Sequence, residues 1–223
     1  MQRNFLTTSG YGVQVSAERT ERLDAAALEF VTGAGRPLRL VDIGCGVGAQ
    51  AARMARAGAD VVAVDIADFS DDVHAFAESH SFEGHVNFVQ AHALDFLEQT
   101  TFEIDVLYSQ RTLHYLPYSD ALGAMRLARG RMGNHSRAFI SLSGLSSELG
   151  EKYPHFNVPI ADRFCGLAWN ARDAHQIWRP ICLYTEADAK NLVKEAGFQV
   201  LDCWTSVFGN VKLVARPGLE KEA

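Results

Sequence analysis

The chain has 223 residues, 48% of them apolar, and a formal net charge of −6 at pH 7, which suits one domain with a full hydrophobic core. This acidic balance argues against nucleic acid as a partner, because phosphate backbones are bound by clustered Lys and Arg. The four cysteines lack C-x-x-C spacing, so we expect no metal site and no disulfide framework. The chain has neither an apolar signal core nor an 18-residue apolar run, so we expect no membrane association and a cytoplasmic location.

The N-terminal region predicts a loop followed by one amphipathic helix. Residues 7–12 are rich in Thr, Ser and Gly, and Ser16 suits the N-cap of the helix that follows. The glycines and the proline in residues 33–37 end that helix, so we expect residues 1–35 to form a helical cap. Its apolar positions recur with a 3.6-residue period: Leu23, Ala26, Ala27, Phe30 and Val31.

The stretch from residue 39 to residue 65 predicts a strand, a glycine turn, a helix and a second strand. Residues 40–43 are mostly apolar and β-branched, as in a strand covered on both faces. The following helix would point its free N–H groups at a ligand on the turn. Asp65 ends the second strand and would return beside the turn, where it can accept hydrogen bonds from a ribose. Three glycines let the backbone turn and approach a ligand closely: Gly44, Gly46 and Gly48.

Two classes of cofactor use this geometry. Gly44, Gly46 and Ala49 satisfy the loose dinucleotide pattern G-x-G-x-x-A. Asp42 favours the other class, because a carboxylate two residues before the first glycine would repel a pyrophosphate. The same carboxylate suits a cationic ligand that carries an ammonium and a sulfonium.

The run from Asp42 to Gly48, Asp-Ile-Gly-Cys-Gly-Val-Gly, resembles the first signature motif of class I S-adenosylmethionine-dependent methyltransferases. The resemblance implies that S-adenosyl-L-methionine is the cofactor, that Asp65 binds its ribose and that Ile66 packs on its adenine. In this family the loop before the first helix often covers the cofactor, so Tyr11 and Arg19 either contact a ligand or are ordinary surface residues. The resemblance assigns the turn residues to the amino-acid end of the cofactor: Asp42, Gly44, Cys45, Gly46 and Gly48.

A third strand at residues 86–89 leads to His92, where the family usually has an acid that receives the adenine amino group. A neutral imidazole nitrogen could accept the same hydrogen bond. Asp95 could do so instead from one turn later. The backbone of Ala93 would meet the adenine edge.

A fourth strand at residues 104–108 leads to the segment 109–115, which should face the reactive end of the cofactor. The resemblance makes Ser109 a cofactor contact, His114 a candidate catalytic base and Tyr115 a candidate substrate contact. The alternative is that His114 only packs at the junction of loop and helix. A base is needed only if the acceptor must lose a proton, as a hydroxyl does.

The remaining elements follow the same family pattern from residue 36 to residue 216. The resemblance implies an α/β fold: a Rossmann-like, doubly wound, seven-stranded sheet, mostly parallel with an antiparallel C-terminal hairpin strand and with helices on both faces. Serines predict two N-caps, at Ser70 for a helix to about His80 and at Ser119 for a helix to about Met132. Residues 185–188 predict a capping box, and Gly197 a helix stop. Three further strands are predicted at residues 137–143, 198–205 and 211–215.

Residues 144–184 are too long for a plain connection between a strand and a helix. They are rich in aromatic residues and arginines, and we interpret them as an inserted lid segment. In one hypothesis the lid forms an apolar wall and an arginine binds an anionic group of the substrate. The alternative is a segment that merely covers the edge of the core. The candidate arginines are Arg163, Arg172 and Arg179.

These observations predict a methyltransferase that transfers a methyl group to a small-molecule acceptor by in-line displacement at the sulfonium carbon. Such a reaction needs alignment in a dry pocket more than proton chemistry. A second reading is a catalytically silent module of the same fold that binds the cofactor or a protein. A third, a nucleotide-dependent oxidoreductase, is disfavoured by Asp42 and by the terminal hairpin.

Overall fold

The computed structural model describes residues 10–11, 20–78 and 86–218. Within these residues seven strands form one sheet in the order β3-β2-β1-β4-β5-β7-β6. The first five pair in parallel, and β7 lies antiparallel between β5 and β6. This arrangement confirms the predicted fold class. The strands are β1 (Arg39–Ile43), β2 (Asp60–Asp65), β3 (Val86–Gln90), β4 (Val106–Gln110), β5 (Arg137–Leu142), β6 (Phe198–Thr205) and β7 (Val211–Pro217).

Helices cover both faces of the sheet, as predicted. A cluster that includes Met54, Tyr108 and Phe139 packs α1, α2 and α3 on one face, and a larger cluster that includes Leu122 and Leu192 packs α4, α5 and α7 on the other. The helices are α1 (Arg22–Thr32), α2 (Ala49–Arg56), α3 (Ser70–Glu78), α4 (Ala93–Gln99), α5 (Tyr118–Arg129), α6 (Trp169–His175) and α7 (Glu186–Glu195).

Two of the serine N-caps predicted from the sequence are wrong. Ser70 is the first residue of α3, and its N–H and Oγ donate to Asp68 Oδ1 at 3.0 and 2.7 Å, so the stronger acceptor two residues earlier does the capping. Helix α5 starts earlier than predicted, after Pro117, whose fixed φ suits a helix entry, and ends at Arg129. Ser119 therefore lies inside its first turn. The predicted end of α3 at His80 lies outside the described residues.

The capping box of α7 is confirmed. Thr185 Oγ1 accepts from the N–H of Asp188 at 3.1 Å, and the Asp188 carboxylate accepts from the N–H of Thr185 at 2.9 Å. Gly197 has a φ of +88° just past the C-cap, where glycine carries no Cβ penalty. Helix start and stop here follow directly from local sequence.

Buried polar contacts tie α1 to the sheet. The Tyr108 hydroxyl on β4 donates to the carboxylate of Asp24, which is fully buried. Glu21, at the N-cap of α1, forms an ion pair of 2.6 Å with Lys212 Nζ on β7. Lys212 also donates to Ser141 Oγ at 2.9 Å. The cap predicted at Ser16 lies outside the described residues.

Residues 144–184 form a unit beside the carboxyl end of the sheet. Apolar side chains in this segment pack into a small cluster of their own, which includes Leu149, Tyr153 and Ile181. An antiparallel bridge joins Ile177 to Tyr11. No helix within the described residues is both long and apolar enough to cross a bilayer.

Candidate functional site

A cavity of about 190 Å³ opens at the carboxyl ends of β1, β2 and β4. Strand β1 has β2 on one side and β4 on the other, so the chain order reverses here, and open α/β sheets bind ligands at such a switch point. The lining residues are Tyr11, Asp42, Ile43, Gly44, Cys45, Gln50, Val64, Asp65, Ile66, Ala67, Phe69, Ala91, His92, Ala93, Tyr108, Gln110, Arg111, Thr112, Tyr115 and Leu116.

The glycine turn between β1 and α2 closes one wall of the cavity. Gly44 has a φ of +76°, and a Cβ built there would lie 1.9 Å from Thr112 Oγ1. Gly48 has a φ of +79°, and its Cβ would lie 2.7 Å from the side chain of Val73. Glycine is thus required by backbone angle and by close approach. Of the predicted turn residues, Gly44 and Cys45 line the cavity, whereas Gly46 and Gly48 shape the turn behind them.

Asp65 ends β2 and joins the turn to the strand. Its Oδ2 accepts from the N–H of Gly46 at 2.9 Å, and its Oδ1 accepts from the N–H of Ala67 at 3.0 Å. Burial raises the pKa of this carboxyl, and the backbone N–H groups oppose that rise. The carboxylate is therefore held in one orientation at the cavity wall, as the βαβ geometry predicts.

The side of the cavity beyond β2 is apolar with one imidazole. Ile66 lines it with 49% of its surface exposed. His92 is the N-cap of α4, and both His92 and Ala93 line the cavity. Asp95 is exposed and is not among the lining residues. The geometry thus favours His92 over Asp95 as the polar group at this end.

Asp42 lies at the floor of the cavity and is only 3% exposed. Burial, followed by the negative charges of Asp65 and Asp24, raises its pKa to about 8, against a smaller opposing effect of Arg53. A cation placed beside this carboxyl would lower its pKa and ionise it. The floor of the cavity is therefore suited to an ammonium group.

The end of β4 supplies lining residues that we did not single out from the sequence. Ser109, which we predicted as a cofactor contact, is buried, and its Oγ donates to the carbonyl of Ile43 at 3.1 Å, so it ties β4 to β1 behind the cavity. The next three residues line the cavity instead. The only sequence signal was their place after the fourth strand. These residues are Gln110, Arg111 and Thr112.

His114 lies next to the cavity and is only 1% exposed. Its Nε2 lies 3.3 Å from Ser143 Oγ, and its Nδ1 has no hydrogen-bond partner among the described residues. Burial, followed by the positive charge of Arg111, lowers its pKa to about 3. The imidazole is thus a weak base that does not line the cavity, and its catalytic role stays a prediction.

Tyr115 and Tyr11 together close the cavity near the end of β4. The Tyr115 hydroxyl donates to the carbonyl of Tyr11 at 2.6 Å, and the two rings meet edge to face with centroids 4.9 Å apart. Tyr11 in turn bridges to Ile177. Among the lining residues none belongs to the segment 144–184, so this segment reaches the cavity through Tyr11. Arg19 lies outside the described residues.

The three arginines of the segment 144–184 have contacts of their own. Arg163 pairs with Asp188 at 2.7 Å and donates to the carbonyl of Leu183 at 2.9 Å. Arg172 donates to a backbone carbonyl within the segment at 2.5 Å, and the Arg179 guanidinium lies 5.4 Å from the centre of the Tyr11 ring. These contacts favour a segment that covers the core edge over one whose arginines bind the substrate.

The comparison with known protein families gives the identity of the fold. A family model described as a methyltransferase domain matches residues 15–202. The chain belongs to this methyltransferase family. The match covers most of the chain and confirms the class I methyltransferase assignment made from the glycine turn.

Solved methyltransferase structures have the same fold at low sequence identity. CcbJ from Streptomyces caelestis matches with a TM-score of 0.66 at 15% identity over 94% of this chain and 98% of that one. Magnesium protoporphyrin IX methyltransferase (ChlM) from Synechocystis, with bound SAH, matches with a TM-score of 0.64 at 18% identity over 88% and 82%. The 1,6-didemethyltoxoflavin-N1-methyltransferase of Burkholderia thailandensis matches with a TM-score of 0.62 at 19% identity over 89% and 80%. No protein with a curated description matches the sequence.

Proposed function

We propose that this methyltransferase uses S-adenosyl-L-methionine to methylate a small molecule by in-line displacement. The observation that carries the proposal is Asp42, a buried carboxyl on the floor of a cavity at the switch point, whose pKa is raised to about 8. The ammonium of a bound methionine moiety would offset the burial of this carboxylate. A dinucleotide pyrophosphate beside it would increase the cost of burial.

The other lining residues would contact the ribose, the adenine and the methyl group of the cofactor in turn along the cavity. Asp65 offers carboxylate oxygens to the ribose hydroxyls, beside the backbone N–H groups that orient it. Ile66 provides an apolar surface for the adenine ring, and His92 with Ala93 meets its polar edge. The sulfonium and its methyl would then point towards the end of β4, where Tyr115 lies. In this arrangement the acceptor enters on the β4 side.

Methyl transfer requires little proton transfer by the residues of this site. The nucleophile attacks the methyl carbon as the carbon–sulfur bond breaks, and the sulfonium becomes a neutral thioether. Alignment of the nucleophile, methyl and sulfur in a site that excludes water supplies most of the rate. Tyr11 and Tyr115, which close the cavity near β4, serve that purpose. His114 would act as a base only for an acceptor that loses a proton, after a side-chain movement that brings it to the cavity.

The small-molecule class of acceptor is supported by the structural neighbours. One of them was crystallised with 1,6-didemethyltoxoflavin and S-adenosylhomocysteine together, and another is named for magnesium protoporphyrin IX. The cavity in this chain is lined by apolar and aromatic side chains with a few polar groups, which is typical of small-molecule sites.

The test is turnover with a library of small molecules, followed as formation of S-adenosylhomocysteine. We expect at least one compound to raise its formation well above the rate without acceptor, and mass spectrometry to find that compound heavier by one methyl group. Binding of S-adenosylhomocysteine without turnover of any compound would instead favour a silent module of the same fold. The matched variant Asp42→Asn should lower turnover at a fixed cofactor concentration, because it removes the carboxylate that would hold the ammonium group.

A further inference from the structure

We propose that Arg111 binds an anionic group of the methyl acceptor, and that the acceptor is a planar aromatic acid. This inference rests on the proposed function, because acceptor and cofactor would share one cavity. Among the cavity-lining residues that the structure describes, Arg111 is the only lysine or arginine. A guanidinium offers paired N–H donors that match a carboxylate.

The backbone places Arg111 at the cavity in an unusual conformation. Its φ is +53°, in the left-handed region that a non-glycine residue rarely adopts. Its N–H donates to the carbonyl of Ser141 on β5 at 2.8 Å, which anchors the residue just past the end of β4. The side chain is partly buried and lines the cavity. Backbone conformations of this kind persist where surrounding structure holds them and cluster at functional sites.

Arg111 lies on the acceptor side of the cavity. The adenine-side residues Ile66 and His92 follow β2 and β3, whereas Arg111 follows β4 on the opposite side of β1. Burial raises the pKa of the Tyr115 hydroxyl, and the nearby positive charge of Arg111 opposes that rise. The charges that act on Asp42 come from other residues, Asp65 first. Arg111 therefore lies with Tyr115 on the β4 side of the cavity.

The surfaces around Arg111 are aromatic and apolar. Tyr11, Tyr115 and Leu116 line the same end of the cavity. The Tyr115 hydroxyl is already bonded to the carbonyl of Tyr11, so this residue offers its ring to a ligand. Flat rings pack well against tyrosine faces and edges. An aromatic body on the tyrosines and a carboxylate on Arg111 would fill this end of the cavity.

The test compares acids with their neutral amides on the protein saturated with S-adenosylhomocysteine. The probes are benzoate and benzamide, 4-hydroxybenzoate and its amide, and indole-3-carboxylate and its amide, each measured by calorimetry. We expect at least one acid to bind about tenfold more tightly than its amide, which is the scale of one charge-assisted pair. Arg111→Met should abolish that preference, and Arg111→Lys should retain part of it. Arg56→Met, which removes an exposed guanidinium in the last turn of α2 that is not among the lining residues, should leave it unchanged.

Several results would overturn the proposal. They are equal binding of acid and amide by the wild type, a preference that survives in Arg111→Met, or no binding of any of these acids. A loss of S-adenosylhomocysteine affinity in Arg111→Met would assign the guanidinium to the cofactor's own carboxylate and overturn it as well. Failure of the wild type to bind S-adenosylhomocysteine is a failure of the proposed function and is read before any acid is added.

Discussion

Asp42 is the buried carboxyl of the site whose protonation state depends on what the cavity binds. It is a buried residue of β1 that lines the cavity, with Asp65 and Asp24 as the neighbouring negative charges. A carboxyl with a pKa of about 8 is mostly neutral at pH 7 in the free protein. Binding of a cation would ionise it and release a proton to solvent. Cofactor affinity and pH are therefore coupled through this residue.

The first prediction concerns that coupling. Affinity for S-adenosylhomocysteine should rise by about tenfold between pH 6 and pH 7.5, because more of the protein then carries an ionised Asp42. Calorimetry in buffers of different ionisation enthalpy should detect the proton released on binding. Asp42→Asn should bind more weakly with little dependence on pH. An affinity that is flat over this range in the wild type would contradict the prediction.

The second prediction concerns stability without ligand. The pKa of Asp42 in the folded state, about 8, exceeds the ordinary value of 3.8. Between these two values the folded state holds a proton that the unfolded state has lost. This group therefore lowers the stability of the fold as pH rises from about 4 to above 8. Asp42→Asn should therefore stabilise the protein more at pH 9 than at pH 5. The gain in unfolding free energy at pH 9 should be up to about a few kcal/mol and should appear as a higher melting temperature than that of the wild type. Asp60→Asn, at an exposed position on β2, is the control and should behave alike at both pH values. A mutant that melts below wild type at pH 9 would count against this account.

The third prediction concerns the turn. Gly44→Ala would place a methyl group 1.9 Å from Thr112 Oγ1 at a φ of +76°. We expect loss of cofactor binding and a destabilisation of at least about 2 kcal/mol, because both the backbone strain and the clash must be relieved. Gly58→Ala is a matched control, since its φ is +95° and nothing lies within 4 Å of the added Cβ. It should cost about 1 kcal/mol and leave cofactor binding intact. Equal effects of the two substitutions in chemical denaturation would refute the role given to Thr112.

At the scale of single elements, the attachment of α1 combines local and distant causes. The helix pattern at residues 23–31 was readable from the sequence because its apolar positions recur every turn. The partners that hold its N-terminus were not readable, since Lys212 lies almost two hundred residues later and a lysine in a strand normally indicates a solvent face. Likewise, Asp68 accepts the N–H of Ser70 at the start of α3, and Pro117, not Ser119, is the N-cap of α5. Several adjacent residues could cap each helix, and only the backbone path decides among them.

The fourth prediction tests that attachment. Lys212 is only 1% exposed, and burial lowers its pKa, while Glu21 opposes that shift. Lys212→Met should destabilise the protein by about 3 kcal/mol, because it leaves the Glu21 carboxylate without its buried cation. Replacing both residues by apolar ones should recover much of the loss. The control is Lys190→Met in the exposed pair with Glu186, which should cost about 0.5 kcal/mol or less. If urea unfolding gave similar losses of unfolding free energy for the two lysine variants, the buried pair would contribute no more to stability than the exposed one.

At the scale of the whole molecule, the sheet order brings separate stretches of chain to one cavity. The glycine turn, the acid after β2 and the loop after β4 meet because β1 lies between β2 and β4. The fold and the cofactor side were predictable, since glycines, an acid and apolar strands leave a local pattern. On the acceptor side only the segment 109–115 was predictable. Which of its side chains line the cavity was not, because Arg111 belongs to no motif and only the fold shows that it lines the cavity while Ser109 and His114 are buried beside it. The segment 144–184 is joined to the site through Tyr11, and its role as a lid stays a prediction.

The most direct test of the central claim is a calorimetric titration of the protein with S-adenosylhomocysteine and, separately, with NAD, on the wild type and on Asp65→Ala. We expect S-adenosylhomocysteine to bind the wild type, NAD not to bind, and Asp65→Ala to lose at least about tenfold in affinity, because the ribose would lose its carboxylate partner. Asp60→Ala, on the exposed start of the same strand, should bind like the wild type. Binding of NAD, or no binding of S-adenosylhomocysteine to the wild type, would contradict the account of this cavity as a methyl-donor site.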